Sequence, residues 1–377
     1  MAACFAVATP TIVTRQPVKT RTAVRAMASS ATAPSTKPVQ SLLGCMTIGW
    51  KFASEECDDD VSLDLIKTFL DAGHTELDTA LAYSGGETEK IMARVLGDNP
   101  SLMKKANVAT KANPWPGGVM SSTSGEGGLA PADLRKQVTQ SVESLSPLPI
   151  DLLYLHAPDA ATPIENTLEE LGKLYKEGKF KRLGLSNFPA WEVVKIHSLC
   201  PSYGLPLPDT YQGMYNCLTR ACEPELIPAL KSCEMRFVVY NPLCGGLLTG
   251  KHSANFTTPG ASETGSGRFT DNKMYQERFW NQEYFDAVEL IKKACEDESI
   301  TPTDAALRWL YNHSQLDGEK GDGVILGASS IKHLEKNLEA ANNKKPLPQN
   351  ILEAIEKAHA MCVPVAPPYA RGHSLLK

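Results

Sequence analysis

From Ser41 onward the apolar residues of this chain alternate between two rhythms. Short unbroken runs give way to stretches in which apolar positions return every third or fourth residue. The first rhythm predicts buried strands and the second predicts helices lying with one face down. Leu42–Ile48 reads as a strand, followed by a helix over Val61–Asp71 whose Leu63, Ile66 and Leu70 share a face, with Gly73 as its stop. His74–Ala80 and Asn107–Lys111 are the next strands, with a helix over Glu87–Leu96 between them. A loop rich in Gly and Ser, Pro114–Gly128, leads to a helix marked by Leu134, Val138, Val142 and Leu145, with Pro131 near its start. The strand series continues with Ile150–His156, Phe180–Asn187, Thr210–Tyr215, Arg236–Asn241 and Gly323–Gly327. Helices are expected over Ile164–Glu177, Trp191–Leu199, Glu223–Cys233, Gln282–Glu296, Pro302–His313, Ile331–Asn343 and Gln349–Ala360. An irregular stretch, His252–Asp271, interrupts the series, and Val363–Lys377 forms a tail.

Strands alternating with helices imply a parallel sheet of the α/β class. Eight such repeats favour a single (β/α)8 TIM barrel over residues 41–377, rather than an open doubly wound sheet. No G-x-G-x-x-G follows the first strand, so a Rossmann domain has no support.

Composition narrows the classes further. No run approaches the ~18 apolar residues of a membrane span, and a net charge of −5 gives no reason to expect nucleic acid. The ten cysteines contain no C-x-x-C pair, which argues against zinc ribbons and dithiol chemistry and for a reducing compartment; no metal is expected. Residues 1–54 hold no Asp or Glu, while Arg15, Lys19, Arg21 and Arg25 sit among Ala, Thr, Ser and Val. That pattern reads as a transit peptide over residues 1–26, cut after Ala26, with 27–40 as a linker and the chloroplast stroma as destination.

Several strands end on an ionisable residue, where a parallel barrel keeps its chemistry. Asp78 closes the second strand, Tyr83 follows in the loop, Lys111 closes the third and His156 the fourth. Singly, each has an ordinary explanation: a helix cap, a loop aromatic, a solvated strand end, a satisfied histidine. Together they fit one task. A phenol has a pKa of ~10; a neighbouring ammonium is expected to lower it, and a carboxylate to hold the ammonium in place. A histidine across the pocket can aim a carbonyl oxygen. Such a set donates one proton to a carbonyl under reduction. With no activated Ser or Cys, the electrons must come from a bound cofactor.

These segments resemble the aldo-keto reductase superfamily, from about Leu42 to Arg371. Asp78-Thr79-Ala80-x-x-Tyr83-Ser84-x-Gly86-x-x-Glu89 is similar to its active-site segment. Ala109–Trp115, Asp151–Asp159, Tyr211–Asn216 and Tyr240–Lys251 are similar to the subgroup of aflatoxin-aldehyde and succinic-semialdehyde reductases. The resemblance implies the catalytic set Asp78, Tyr83, Lys111 and His156, with Tyr83 as proton donor and NADPH as hydride source. It implies that Ser186, Asn187 and Gln212 hold the nicotinamide carboxamide and that Tyr240 stacks on its ring. Asn241, Pro242, Leu243, Gly245, Gly246, Leu247, Gly250 and Lys251 would wrap the pyrophosphate, the paired glycines allowing close approach. Gly327, Ser329, Ser330, His333 and Asn337 would hold the adenosine phosphate, where a helix start makes a ready anion site. His333 stands where many members carry arginine, and an imidazole grips a 2′-phosphate less firmly. A small aldehyde would sit among Met46, Trp50, Trp115, His156, Arg268, Tyr369 and Arg371, the last two matching a Tyr-x-Arg that helps receive carboxylate-bearing aldehydes in the subgroup. The subgroup also implies a homodimer.

Other readings stay open at this point. Some barrels of this superfamily, such as potassium-channel β subunits, are cofactor-loaded regulatory partners. A pyridoxal or sugar-aldehyde reductase would use the same scaffold. A Schiff-base aldolase would make Lys111 a nucleophile.

Overall fold

The computed structural model describes residues 37–50, 56–115, 128–252, 268–270 and 272–371. The proposed leader (1–26), most of the linker, the middle of the loop after the third strand, most of the irregular stretch His252–Asp271 and the last residues of the tail lie outside these. The folded unit falls within Ser35–Lys377.

Eight parallel strands close into a barrel in sequence order: β1 Gln40–Gly44, β2 Glu76–Asp78, β3 Asn107–Ala112, β4 Ile150–Leu155, β5 Arg182–Ser186, β6 Thr210–Met214, β7 Arg236–Tyr240 and β8 Gly323–Gly327. β8 returns to pair with β1, Gln40 opposite Gly323 through Gly44 opposite Gly327, so no edge is left open. Helices connect the strands and pack their apolar faces on the outside of the barrel in one core. Among the described residues no helix is long and apolar enough to cross a membrane.

Several expected boundaries move. β1 begins at Gln40, inside the expected linker, and its second half is not strand: Cys45–Thr47 turns in a single 3-10 loop that Thr47 pins by donating to the Ala328 carbonyl at 2.6 Å. An unbroken apolar run cannot distinguish a strand from a buried turn. The first helix starts at Asp59, because Asp58 accepts from the Val61 N–H at 3.0 Å and caps it. The helix expected from Glu223 forms only over Leu226–Ser232. Two short helices were not foreseen, Pro100–Met103 and Lys273–Phe279.

Alternation along the strands sorts the barrel interior into layers. Near the bottom, Arg236 on β7 reaches Glu76 on β2 with two hydrogen bonds of 2.9 and 3.1 Å. Above it lie two small apolar clusters, Leu42, Val238 and Ile325, and Ala109, Leu152 and Tyr154. Two residues on from Glu76, Ala109 and Val238 stand Asp78, Lys111 and Tyr240, at the end toward which all eight strands run. Tyr154, fully buried, fits only because β5 has Gly184 opposite it. A Cβ there would lie 2.5 Å from the Tyr154 ring. Gly184→Ala is therefore expected to destabilise the fold by about 1–3 kcal/mol through overpacking. Denaturant unfolding checks this, and a variant as stable as the parent would show that the plug repacks freely.

Candidate active site

Lys111 is the pivot of the open end of the barrel. Its side chain has no exposed surface, and its Nζ donates to Asp78 Oδ1 at 2.9 Å, Asp78 Oδ2 at 2.8 Å and the Thr79 carbonyl at 2.6 Å. The Tyr83 hydroxyl oxygen lies 3.3 Å from the same nitrogen. An ammonium has three hydrogens and accepts none. The tyrosine can therefore only accept from Lys111, and its own hydrogen stays available to another partner. Gln212 completes the carboxylate's surroundings by donating to Asp78 Oδ1 at 2.7 Å.

Electrostatics here differ from the sequence expectation in one respect. Burial pulls the Lys111 ammonium below its usual range, opposed by the Asp78 carboxylate. Burial pushes the Tyr83 phenol well up, the Asp78 charge adds to this, and Arg268 opposes it. Lys111 was expected to lower Tyr83, but Asp78 neutralises the ammonium at contact distance and leaves burial to dominate. Burial likewise drives His156 well below its ordinary value, helped by the charges of Lys111 and Arg371. The resting site thus holds a protonated phenol facing a neutral imidazole, their rings edge to face at 6.3 Å.

Local structure explains the placement of each. Tyr83 opens a tight turn in which Ser84, Gly85 and Gly86 all have positive φ (47°, 70° and 89°). Ser84 and Thr88 hold this turn by both donating to the Ile48 carbonyl at 2.9 Å. His156 packs against the edge of Trp115, with centroids 5.6 Å apart. Trp115 is held by Asn113, whose side-chain oxygen accepts from the Trp115 N–H at 3.0 Å. Asn113 is in turn gripped by Gln137, which accepts from its N–H at 2.7 Å and donates to its carbonyl at 3.1 Å and to the Gly128 carbonyl at 2.8 Å.

A cleft of about 1510 Å³ runs from these residues to the start of the helix Ile331–Asn342. Drug-sized ligands occupy roughly 300–1,000 Å³, so the space suits something longer. Asp78, Tyr83 and His156 line one end. Ser186, Asn187, Gln212 and Tyr240 follow, then Asn241, Pro242, Leu243, Gly245, Gly246 and Lys251, and finally Gly327, Ser329, Ser330, His333 and Asn337. Met46, Trp50, Arg268 and Arg371 also line it, Arg371 against Tyr240 and Arg268 against Tyr275.

Other expected residues stand off the cleft. Lys111 lies beneath its floor. Leu247 is buried in the core, and Gly250 turns against Lys292 and Pro302. Trp115 stands behind His156, and Tyr369 donates to Glu225 and accepts from the Ala190 N–H at 3.2 Å, which ties down the chain before Arg371. Sequence reasoning missed Tyr275 and Arg278, which line the cleft from the helix Lys273–Phe279, too short to show a periodicity. Tyr275 packs over Gly245, where a Cβ would meet its ring at 2.8 Å. Burial alone would raise Tyr275, but Arg268, Arg278 and Arg371 together pull it below its ordinary value.

The lining residues fit a nicotinamide dinucleotide. A Cβ on Gly327 would meet no protein atom within 4 Å, so the glycine leaves cleft space that a side chain would fill. Ser330 stands at the helix start without making a capping hydrogen bond, which leaves its hydroxyl and the first N–H groups for an anion. Lys332 and Lys336 also line this end. Asn187 spends both amide hydrogens on the His156 carbonyl and Ser186 Oγ, so toward a carboxamide it can offer only its oxygen.

The Asp78–Lys111 pair is expected to be worth more than its parts suggest. Asp78→Leu leaves a buried ammonium unpaired and should cost about 3–5 kcal/mol, with Lys111→Met recovering part of this in the double variant. Urea unfolding of the three variants tests it. An Asp78→Leu protein as stable as the parent would show that Lys111 is readily neutralised.

Residues 42–360 match the family model described as the aldo/keto reductase family. The chain is 42% identical to human aflatoxin B1 aldehyde reductase member 2 over 92% of its length and 93% of the human protein. It is 40% identical to human aldo-keto reductase family 7 member A3, covering 88% and 97% of the two chains. With the Monascus ruber aldo-keto reductase pigE it shares 35% identity over 81% and 88%. A closed eight-stranded barrel, an Asp-Tyr-Lys-His set at its open end and a family match over most of the described chain agree: the protein belongs to the aldo/keto reductase family and is an oxidoreductase that works with a nicotinamide cofactor.

Proposed function

We propose that the protein reduces small aldehydes and ketoaldehydes to alcohols with NADPH, using Tyr83 as the proton donor. The observation that carries this reading is the contact of Tyr83 with Lys111, in which a fully engaged ammonium sits 3.3 Å behind the hydroxyl oxygen. When bound, the reduced nicotinamide supplies the hydride. The neutral His156 imidazole hydrogen-bonds the carbonyl oxygen and aims it at Tyr83. Negative charge developing on that oxygen draws the phenol proton, because an alkoxide is a stronger base than a phenolate. Lys111 then stabilises the phenolate left behind, and Asp78 keeps the ammonium charged. With its side chain buried and its hydrogens taken, Lys111 is poorly placed for Schiff-base chemistry.

The substrate class has two supports. Relatives carry the name aflatoxin B1 aldehyde reductase. Arg268 and Arg278 both line the cleft, which suits an aldehyde bearing a carboxylate. Preference for NADPH over NADH rests on Lys332, His333 and Lys336 beside the uncapped helix start, a setting for a 2′-phosphate.

Tyr83→Phe is expected to keep NADPH binding and to lose aldehyde reduction by roughly two or more orders of magnitude. NADPH oxidation at 340 nm across an aldehyde panel, with NADH in parallel, measures both claims. Undiminished turnover by Tyr83→Phe would move the proton donor elsewhere, and equal use of NADH would remove the 2′-phosphate site. Because His156 is held neutral and Tyr83 protonated, kcat should show no limb near pH ~6.5, the ordinary histidine value.

We also propose plastid import, supported by the acid-poor, basic and hydroxylated composition of residues 1–26. A reporter carrying residues 1–40 should enter isolated chloroplasts and be cut near Ala26; a reporter left outside would remove the proposal.

A further inference from the structure

Arg371 would ordinarily be read as a receptor for the substrate's carboxylate, acting only on substrates that carry one. Its contacts point the other way, into the wall of the cleft. The guanidinium Nη2 donates to the Tyr240 hydroxyl at 2.5 Å, and the backbone N–H donates to the Asn187 carbonyl at 2.8 Å. Tyr240 passes its own hydrogen to Asn187 Oδ1 at 2.6 Å, and Asn187 Nδ2 donates to the His156 carbonyl at 2.8 Å. The result is a one-way chain from Arg371 through Tyr240 and Asn187 to the backbone of His156.

The direction of this chain is fixed by chemistry. A guanidinium can only donate, so Tyr240 must turn its hydrogen toward Asn187, and Asn187 must turn its oxygen toward Tyr240. Each bond in such a series strengthens the next. Asn187 also depends on Arg371 for its backbone: it holds a positive φ of 64°, which costs a non-glycine residue of order 1–3 kcal/mol unless its surroundings enforce it. The Arg371 N–H is one of the bonds that enforce it. Arg371 itself is set by the anchored turn before it, where Ala370 is buried and Tyr369 is bonded at both sides.

We infer that Arg371 is a positioning residue for Tyr240 and Asn187, the residues expected to hold the nicotinamide, and that it acts on every aldehyde the enzyme reduces, whether or not the aldehyde carries a carboxylate. This rests on the function proposed above.

The experiment compares Arg371→Ala, Tyr240→Phe and the double variant of the full chain on two aldehydes, succinic semialdehyde, which carries a carboxylate, and butyraldehyde, which does not. Arg371→Ala is expected to lower kcat for butyraldehyde by roughly tenfold or more, the effect of a slightly misplaced site. A second readout needs no turnover: NADPH fluorescence titration should show each single variant binding roughly fivefold or more weakly. The double variant should lose little beyond either single, because both cut the same chain. Loss confined to succinic semialdehyde, with butyraldehyde kcat and NADPH affinity unchanged, would overturn the inference and leave the proposed function standing. Independent, multiplying effects of the two substitutions would also overturn it. An unaltered protein that reduces neither aldehyde would remove the proposed function and this inference with it.

Discussion

A positive charge buried beneath the protein surface governs the open end of this barrel. Moving an ammonium into the interior carries an effective penalty of several kcal/mol, recovered only by close, well-aligned acceptors. Lys111 has them in Asp78 and the Thr79 carbonyl, supplied by β2 and the loop after it. Gln212 on β6 then holds the same carboxylate from across the barrel. Three strands are thereby fixed relative to one another by one ion. The charge also dictates what the neighbouring groups can be. A phenol beside a neutralised ion pair in a dry site keeps its proton, and an imidazole there stays uncharged.

Backbone strain gathers around the same end. Ser84, Asn187, Asn241 and Cys244 all adopt positive φ without being glycine, and all lie on loops that border the cleft. Such conformations persist only where the surroundings over-determine them. For Ser84 the restraint is its bond to the Ile48 carbonyl, and for Asn187 a set of bonds that uses nearly every polar atom it has. The residues of the apolar plug below carry no such strain.

The sequence showed more of the site than of its supports. Asp78, Lys111 and His156 were legible because strand periodicity is local, and a polar residue at the end of an apolar run is visible without knowing its partners. Tyr83 was legible through its fixed spacing from Asp78. Tyr275 and Arg278 were not, since the helix that carries them is too brief to declare itself. Gln137 sits on a helix face like any polar residue, and nothing in its neighbourhood announces that both of its amide atoms are spent on a loop. The anchoring contacts of Tyr369 were hidden for the same reason: its partners Glu225 and Ala190 are far away in the chain. The direction of the Tyr83 shift was also beyond reach, because it depends on how completely one charge cancels another at contact.

The grip of Gln137 has a further consequence. It holds the carbonyls of Asn113 and Gly128, the two roots of the segment 116–127, within one side chain's span. Trp115 takes its position from the first of these roots, through the Asn113 side chain. Since His156 packs on Trp115, Gln137 reaches the imidazole through two intermediates. A change on the helix Pro131–Leu145, outside the barrel, can therefore retune the imidazole without altering any residue that lines the cleft.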